Sequence, residues 1–323
     1  MTEKKIIAVV GATGAQGGGL VRAILAAPDG PFVARALTRN AGSPSAKELA
    51  ERGAEVVEAD LDDQASVRNA FDGAYGAYVV TNFWAPRSPE EERRRTRAEM
   101  ELEQAATAAR AAKDAGLAHV IWSTLEDTRE VIPVSDDRVP TFDGKYTVPH
   151  FDAKAEADRL FTELGVPTTF LRTTFYFEAY LQSTGPHRTD DGNLVLTLPM
   201  GEAKLAGIAV EDIGRTALGI FRRGTELVGK TVSIAGEHLT GTEIAEAMSK
   251  AFGERVTYRP LTHDQFRALD TPGAVEAGNT FQYYVEAADT FTGARDLAAV
   301  RALNPQLQSF ADWLAVHKDE IPR

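Results

Sequence analysis

A short β-rich run, Ile6-Ile7-Ala8-Val9-Val10, passes directly into Gly11-Ala12-Thr13-Gly14-Ala15-Gln16-Gly17 and then into an apolar helical segment reaching Leu25. No other stretch restricts the fold as strongly. A run of this length and composition before a turn reads as a parallel strand covered on both faces. The three glycines answer three steric demands. Gly11 permits a sharp turn, Gly14 lets a pyrophosphate approach the backbone, and Gly17 lets helix and strand pack closely. The helix then begins with N–H groups that have no helical partner and with the positive end of its dipole facing the phosphates. Glycine-rich turns without a ligand are common, but the strand before and the helix after make a dinucleotide site the expectation here.

The first half repeats the alternation. Strands are predicted at 32–38, 54–60, 76–81, 119–123 and 168–172, with helices at 45–52, 63–71, 89–115 and 151–164 between them. Strands and helices alternating at this pitch predict an α/β fold: a doubly wound parallel sheet of the NAD(P)-binding Rossmann type with right-handed crossovers. The second half is less regular, with strands expected at 194–198, 205–209 and 232–235 and helices at 210–221, 242–252 and 308–317. The expected division is a dinucleotide-binding domain over 1–172, rejoined by 207–236, and a smaller α+β C-terminal lobe over 173–206 and 237–323 for a substrate or partner.

Composition narrows the function classes. The 323 residues suffice for a sizeable core. Asp and Glu number 47 against 35 Lys and Arg, a net charge of −12. Direct nucleic-acid binding is therefore disfavoured, because phosphate contacts dominate that affinity. The one dense basic run, Arg93-Arg94-Arg95 with Arg97, lies between Glu90-Glu91-Glu92 and Glu99 and reads as a solvated helix face laced with ion pairs. There is no cysteine, hence no disulfide, no thiolate nucleophile and no cysteine-ligated metal; no metal site is expected. Lys4 and Lys5 before an apolar run imitate a signal peptide, but the run is too short and flows into the glycine turn. No run approaches membrane-spanning length, and a cytoplasmic location is expected.

In a doubly wound sheet the ligand sits at the carboxyl ends of the strands. After the second strand stand Thr38-Arg39-Asn40, with Lys47 further on. An NAD site usually places Asp or Glu there, whereas arginine can pair a 2′-phosphate bidentately. NADP(H) is therefore preferred over NAD(H). Asp60 and Leu61 follow the third strand, where adenine would lie; Asp60 is equally suited to capping the next helix. Thr81-Asn82-Phe83-Trp84 follow the fourth strand and would run beside ribose and nicotinamide, with a core or lid role as the alternative.

Conventional short-chain dehydrogenases carry Ser at the end of the fifth strand and Tyr-x-x-x-Lys on the next helix, the tyrosine moving the proton and the lysine holding the ribose. Here Ser123 and Thr124 are present, and the helix reads His150-Phe151-Asp152-Ala153-Lys154. Lys154 keeps its spacing, but histidine replaces tyrosine, and Tyr146, eight residues before Lys154, does not restore the motif. Spacing of four puts His150 and Lys154 on one helix face. His150 and Lys154 are the candidate catalytic residues, although a helix-start histidine without chemical role is the simpler reading of His150. After the sixth strand, Phe175-Tyr176-Phe177 and Tyr180 suggest either the roof of a nicotinamide pocket or hydrophobic packing.

These residues together resemble the NmrA-like family of atypical short-chain dehydrogenases, most closely its HSCARG-type branch. The resemblance rests on Gly11 to Gly17, Thr38-Arg39-Asn40, Gly53-Ala54-Glu55-Val56-Val57, Asp62-Asp63-Gln64, Thr81-Asn82-Phe83-Trp84, His150 to Lys154, Gly165-Val166-Pro167, Tyr176-Phe177-Glu178, Val210-Glu211-Asp212-Ile213-Gly214 and Leu303-Asn304-Pro305. It implies a protein that binds NADP(H), generally lacks the catalytic tyrosine, and reports the NADP to NADPH balance through a protein partner or homodimer. It implies cofactor contacts at Gly11, Thr13, Gly14, Ala15, Gln16, Arg39, Thr81, Asn82, Lys154, Tyr176 and Phe177. The loop Ala41-Gly42-Ser43-Pro44-Ser45 lacks the basic residues common in that branch, so a weaker 2′-phosphate clamp is expected. The alternative function is an NADPH-dependent reductase of quinones, enones or similar carbonyl compounds that relies on Lys154.

Overall fold

The computed structural model describes residues 3–182 and 184–323. In chain order the first elements are β1 (Lys5–Val9), α1 (Ala15–Leu25), β2 (Phe32–Thr38), α2 (Pro44–Glu51), β3 (Glu55–Glu58), α3 (Gln64–Phe71), β4 (Gly76–Val79), α4 (Pro89–Arg94), α5 (Arg97–Asp114), β5 (His119–Thr124), α6 (Pro149–Glu163) and β6 (Thr168–Arg172). Then follow β7 (Phe175–Tyr176), β8 (His187–Arg188), β9 (Leu194–Leu196), β10 (Leu205–Ile208), α7 (Val210–Arg222), β11 (Thr231–Ser233), β12 (Glu237–Leu239), α8 (Gly241–Phe252) and β13 (Val256–Tyr258). The chain closes with α9 (His263–Arg267), α10 (Ala274–Glu286), α11 (Ala288–Gly293), α12 (Leu297–Leu303) and α13 (Phe310–His317).

The chain divides into two compact units. One takes the chain up to Asp127, His150–Arg172 and Ile213–Val232; the other takes Thr128–Pro149, Thr173–Asp212 and Ser233–Arg323. Residues 128–149 thus pack with the second unit, although the sequence pattern groups them with the first. Asn279 explains this locally, because its Nδ2 donates to Pro140 O at 2.9 Å and Thr147 O at 2.8 Å.

The first unit is built on a seven-stranded sheet in the order β11-β6-β5-β4-β1-β2-β3. The pairings from β3 through β6 are parallel. The order reverses between β1 and β4, which makes that junction the topological switch point. The strands β4 and β5 are buried throughout, as are the last three residues of β1. A stripe of alanines on α5 (Ala105, Ala108, Ala109, Ala111 and Ala112) lies in the core with Val79, Trp122 and Phe161. The small side chains let the helix approach the sheet closely. The helix α7 packs backbone to backbone on α1, since a Cβ at Gly214 would lie 2.2 Å from the Gly19 carbonyl carbon.

The single charged helix expected over 89–115 is broken in two. Arg95 is extended (φ −155°, ψ 150°), and Thr96 caps α5 in a reciprocal box with Glu99. The break turns Arg95 inward, so the expected solvated basic face is only partly present. Arg95 is 7 % exposed and bridges Asp62 at 2.8 Å and Glu103 at 2.5 Å. Arg97 Nη1 donates to Phe83 O at 2.7 Å and Ala85 O at 3.0 Å, which fastens the loop after β4.

The second unit holds two three-stranded sheets, β12-β10-β7 and β13-β9-β8. Its core is aromatic: Phe177 lies 5.0 Å from Phe310 and 5.9 Å from Trp313, and Tyr180 lies 5.3 Å from Phe310. No helix among the described residues is long and apolar enough to cross a membrane.

Candidate dinucleotide site

The glycine turn has the geometry its spacing demands. Gly11 has φ +66°, and a Cβ at Gly17 would lie 2.5 Å from Gly11 O. Any side chain at Gly17 would therefore drive the turn away from the helix start. The N-cap of α1, Gly14, has no side chain to occupy the first N–H groups, and the first turn carries no acidic residue. Thr13 and Ala15 are exposed beside it. Gln16 turns inward instead: its Oε1 accepts from Tyr78 OH and from Ser123 Oγ, the latter at 2.7 Å. The residue expected to touch the cofactor thus also ties α1 to β4 and β5, and it engages the serine at the position of the conventional catalytic serine.

On one side of the switch point, Arg39 is exposed and takes no hydrogen bond or ion pair among the described residues. Asn40 beside it shapes the loop, its Oδ1 accepting from Gly42 N at 2.9 Å. Asp60 does not cap α3. Asp63 does so, accepting from Ala65 N and Ser66 N, whereas Asp60 Oδ1 closes a local turn on Asp62 N at 3.0 Å. Asp60 and Leu61 are half-buried.

On the other side, three buried groups meet. Lys154, on α6, places Nζ 2.6 Å from Glu101 Oε1, 2.7 Å from Thr81 Oγ1 and 3.3 Å from Thr81 O. Thr81 Oγ1 in turn donates to Glu101 Oε1. Glu101 is 0 % exposed, and its Oε2 has no hydrogen-bond partner among the described residues. A buried ammonium needs such a counter-charge, because desolvation of an unmatched ion costs several kcal/mol. Lys154 Nζ also lies 5.0 Å from the centroid of the Trp122 ring. The indole Nε1 donates to Asp158 Oδ1 at 2.8 Å, and Thr124 Oγ1 donates to the same oxygen at 2.6 Å. Burial pushes the Asp158 carboxyl up to about 6, against the lowering effect of these two bonds.

Glu101 and Asp158 were hidden among many charged helix residues. A signal for Glu101 does exist: it shares the helical spacing of Ala98, Ala105, Ala108 and Ala112, all buried, so it is an acid on an apolar stripe. Asp158 lies four residues after Lys154 and shares its helix face.

The loop after β4 is part surface and part core. Asn82 is exposed, and its Oδ1 accepts from Trp84 N at 3.1 Å. Phe83 is buried, and Trp84 is 52 % exposed. The His150 ring lies 5.3 Å from Trp84, 5.9 Å from Phe83 and 4.9 Å from Phe151, so it is part of an aromatic cluster. Tyr176 is half-buried in the second unit. Phe177 is 3 % exposed and enclosed by that unit's own rings. Packing claims its ring.

Tested against a dinucleotide, the first unit's residues fit: a turn with no room for a Cβ, an exposed arginine past β2, and a buried lysine on α6 bonded to Thr81 just past β4. The NmrA-like family profile matches residues 3–313. The chain belongs to the NmrA-like family. It is 28% identical to the NmrA-like family domain-containing oxidoreductase malD of Malbranchea aurantiaca, over 98% of this chain and 97% of that protein. Among solved structures it resembles NmrA, a negative transcriptional regulator, with TM-score 0.76 and 22% identity over 97% of this chain and 95% of that one. It also resembles the NADPH-dependent quinone oxidoreductase QOR2 of Escherichia coli, solved with NADPH, with TM-score 0.68 and 23% identity over 96% of this chain and 98% of that one. NmrA has been solved with NAD and with NADP. The NmrA-like proteins around this chain thus include both regulators and oxidoreductases.

Proposed function

We propose that this protein is an NADP(H)-binding regulator that reports the NADP to NADPH balance to a protein partner. The observation that carries the reading is an intact dinucleotide cradle beside a Tyr-x-x-x-Lys motif that has lost its tyrosine. Lys154 is matched by a buried carboxylate, which suits a fixed cation that holds ribose hydroxyls better than a group that gives up a proton. The longest of its three bonds, to Thr81 O, is the one a hydroxyl would replace. His150, packed among aromatic rings, offers no evident substitute for the tyrosine. Arg39 would take the 2′-phosphate. The NmrA likeness supports the same reading. When bound, NADPH would supply a hydride donor.

The second reading, reduction of quinones, enones or similar flat carbonyl compounds, is favoured by the oxidoreductase relatives and by the exposed Trp84 next to His150. The deciding experiment measures NADPH binding by calorimetry, then NADPH consumption against a panel of quinones and enones. Binding without consumption supports the regulator. Turnover with any of them replaces it with the reductase. Arg39→Ala is expected to weaken NADPH binding by roughly ten- to a hundredfold, the scale of a lost charge-assisted contact, and to leave NADH binding unchanged. Equal loss for both cofactors would remove the 2′-phosphate assignment.

A further inference from the structure

Two features of the first unit acquire a joint meaning at the carboxyl ends of β4 and β5. The adenosine half of a dinucleotide lies on the Arg39 side of the switch point, so the nicotinamide half lies on the side of Thr81 and Lys154. The nicotinamide ring carries one positive charge when oxidised and none when reduced. Two buried charges there, Lys154 and Glu101, are in contact at 2.6 Å and 9% and 0% exposed, and the Asp158 carboxyl interacts with Lys154 from its own helix face. Lys154 and Glu101 together present no net charge. Glu101 Oε2 has no partner to disperse its charge, and burial keeps water from screening it.

We propose that Glu101 sets the redox preference of the site: it cancels the Lys154 charge that would otherwise repel the oxidised nicotinamide. Glu101 acts through charge and through the position of Lys154 and needs no contact with the dinucleotide. The proposal rests on the dinucleotide reading of this site and holds equally for a regulator or a reductase. It assigns a role to a residue on α5 that no motif marks.

The test is the ratio of dissociation constants, NADP over NADPH, measured by calorimetry. The work is done at pH 8, well above the titration of Asp158, so that carboxyl stays ionised throughout. Glu101→Gln removes the carboxylate in contact with Lys154, and the ratio is expected to rise by roughly tenfold, the scale of one charge pair across a pocket of effective dielectric about 20. Lys154→Met leaves Glu101 uncompensated; both forms bind more weakly, but the ratio falls. The double variant restores the wild-type net charge, and its ratio returns to the wild-type value within about threefold, or 0.65 kcal/mol. A merely structural role for Glu101 weakens both forms together and leaves every ratio unchanged, which would overturn the proposal. So would a shift of the same sign in both single variants. If Glu101→Gln does not fold, the comparison of Lys154→Met with the double variant decides, since the ratio must rise between them. If the wild type binds neither form, the dinucleotide reading fails and takes this proposal with it. Binding of both with invariant ratios overturns the proposal alone.

Discussion

The two units bury polar groups for different purposes. In the first, the buried charges Glu101 and Lys154, with Asp158 nearby, gather at the carboxyl ends of adjacent strands, where a parallel sheet presents its ligand site. In the second they are spread along the chain, each closing a crossing between distant segments. Glu178 accepts from Val210 N and Trp313 Nε1, both at 3.0 Å. Asp212 accepts from Asn304 Nδ2 and Gln308 N, both at 2.9 Å. Arg295, fully buried, donates to Thr173 O at 2.6 Å and Phe291 O at 2.9 Å. Three family landmarks, at Glu178, Val210 to Asp212 and Asn304, are therefore explained by architecture. In the second unit these matching motifs fasten distant segments together.

The contrast breaks most sharply at Lys154. Lys154→Ala strands the Glu101 carboxylate in the core, and urea unfolding should show a loss of about 3–5 kcal/mol. Adding Glu101→Leu should recover most of it. If Lys154→Ala unfolds like the wild type, the pair is not buried in solution. In the second unit, Asp212→Ala leaves the Asn304 and Gln308 donors without their acceptor, and a loss of about 2–3 kcal/mol is expected. NADPH affinity of the folded fraction should not change, and a parallel loss of affinity would mean Asp212 serves the site.

The pH dependence of stability sharpens the first unit further. The Asp158 carboxyl titrates at about 6 when folded and near 3.8 when unfolded. Between those values the folded state holds the extra proton, so this group's contribution falls as pH rises from about 4 to about 6. His119 opposes it: burial lowers its imidazole to about 4 from 6.5, so the unfolded state holds the extra proton and stability rises over a similar window. The two slopes offset each other in the wild type. Thermal melts of Asp158→Asn from pH 4 to 6.5 should therefore rise with pH more steeply than those of the wild type. An identical slope would show that Asp158 is not buried as described. The smallest effect is expected at the helix break. Thr96→Ala removes the α5 cap and should cost about 1 kcal/mol, with Arg95 still holding Asp62.

Legibility in the sequence followed the same division. The order of strands and helices through β6 was readable because the strands are short β-rich runs and the helices between them have a period and a stop. The break before α5 was missed although Thr96 and Glu99 spell a capping box, because the surrounding charges read as one continuous face. In the second unit several strands are only two or three residues long, and α10 is buried on most sides, including Asn279, Thr280 and Gln282. Neither pattern has a period to detect.

What local physics could decide from the chain alone was the cradle: the glycine turn, the arginine past β2 and the missing tyrosine are matters of residue type at fixed spacing. Which charges would face one another was not local. Glu101 is 53 residues before Lys154 in sequence and meets it only because α5 and α6 pack against strands that pair side by side. Burial there removes water from both groups, and that desolvation, rather than the identity of either residue, turns an ordinary Lys and Glu into one enclosed pair.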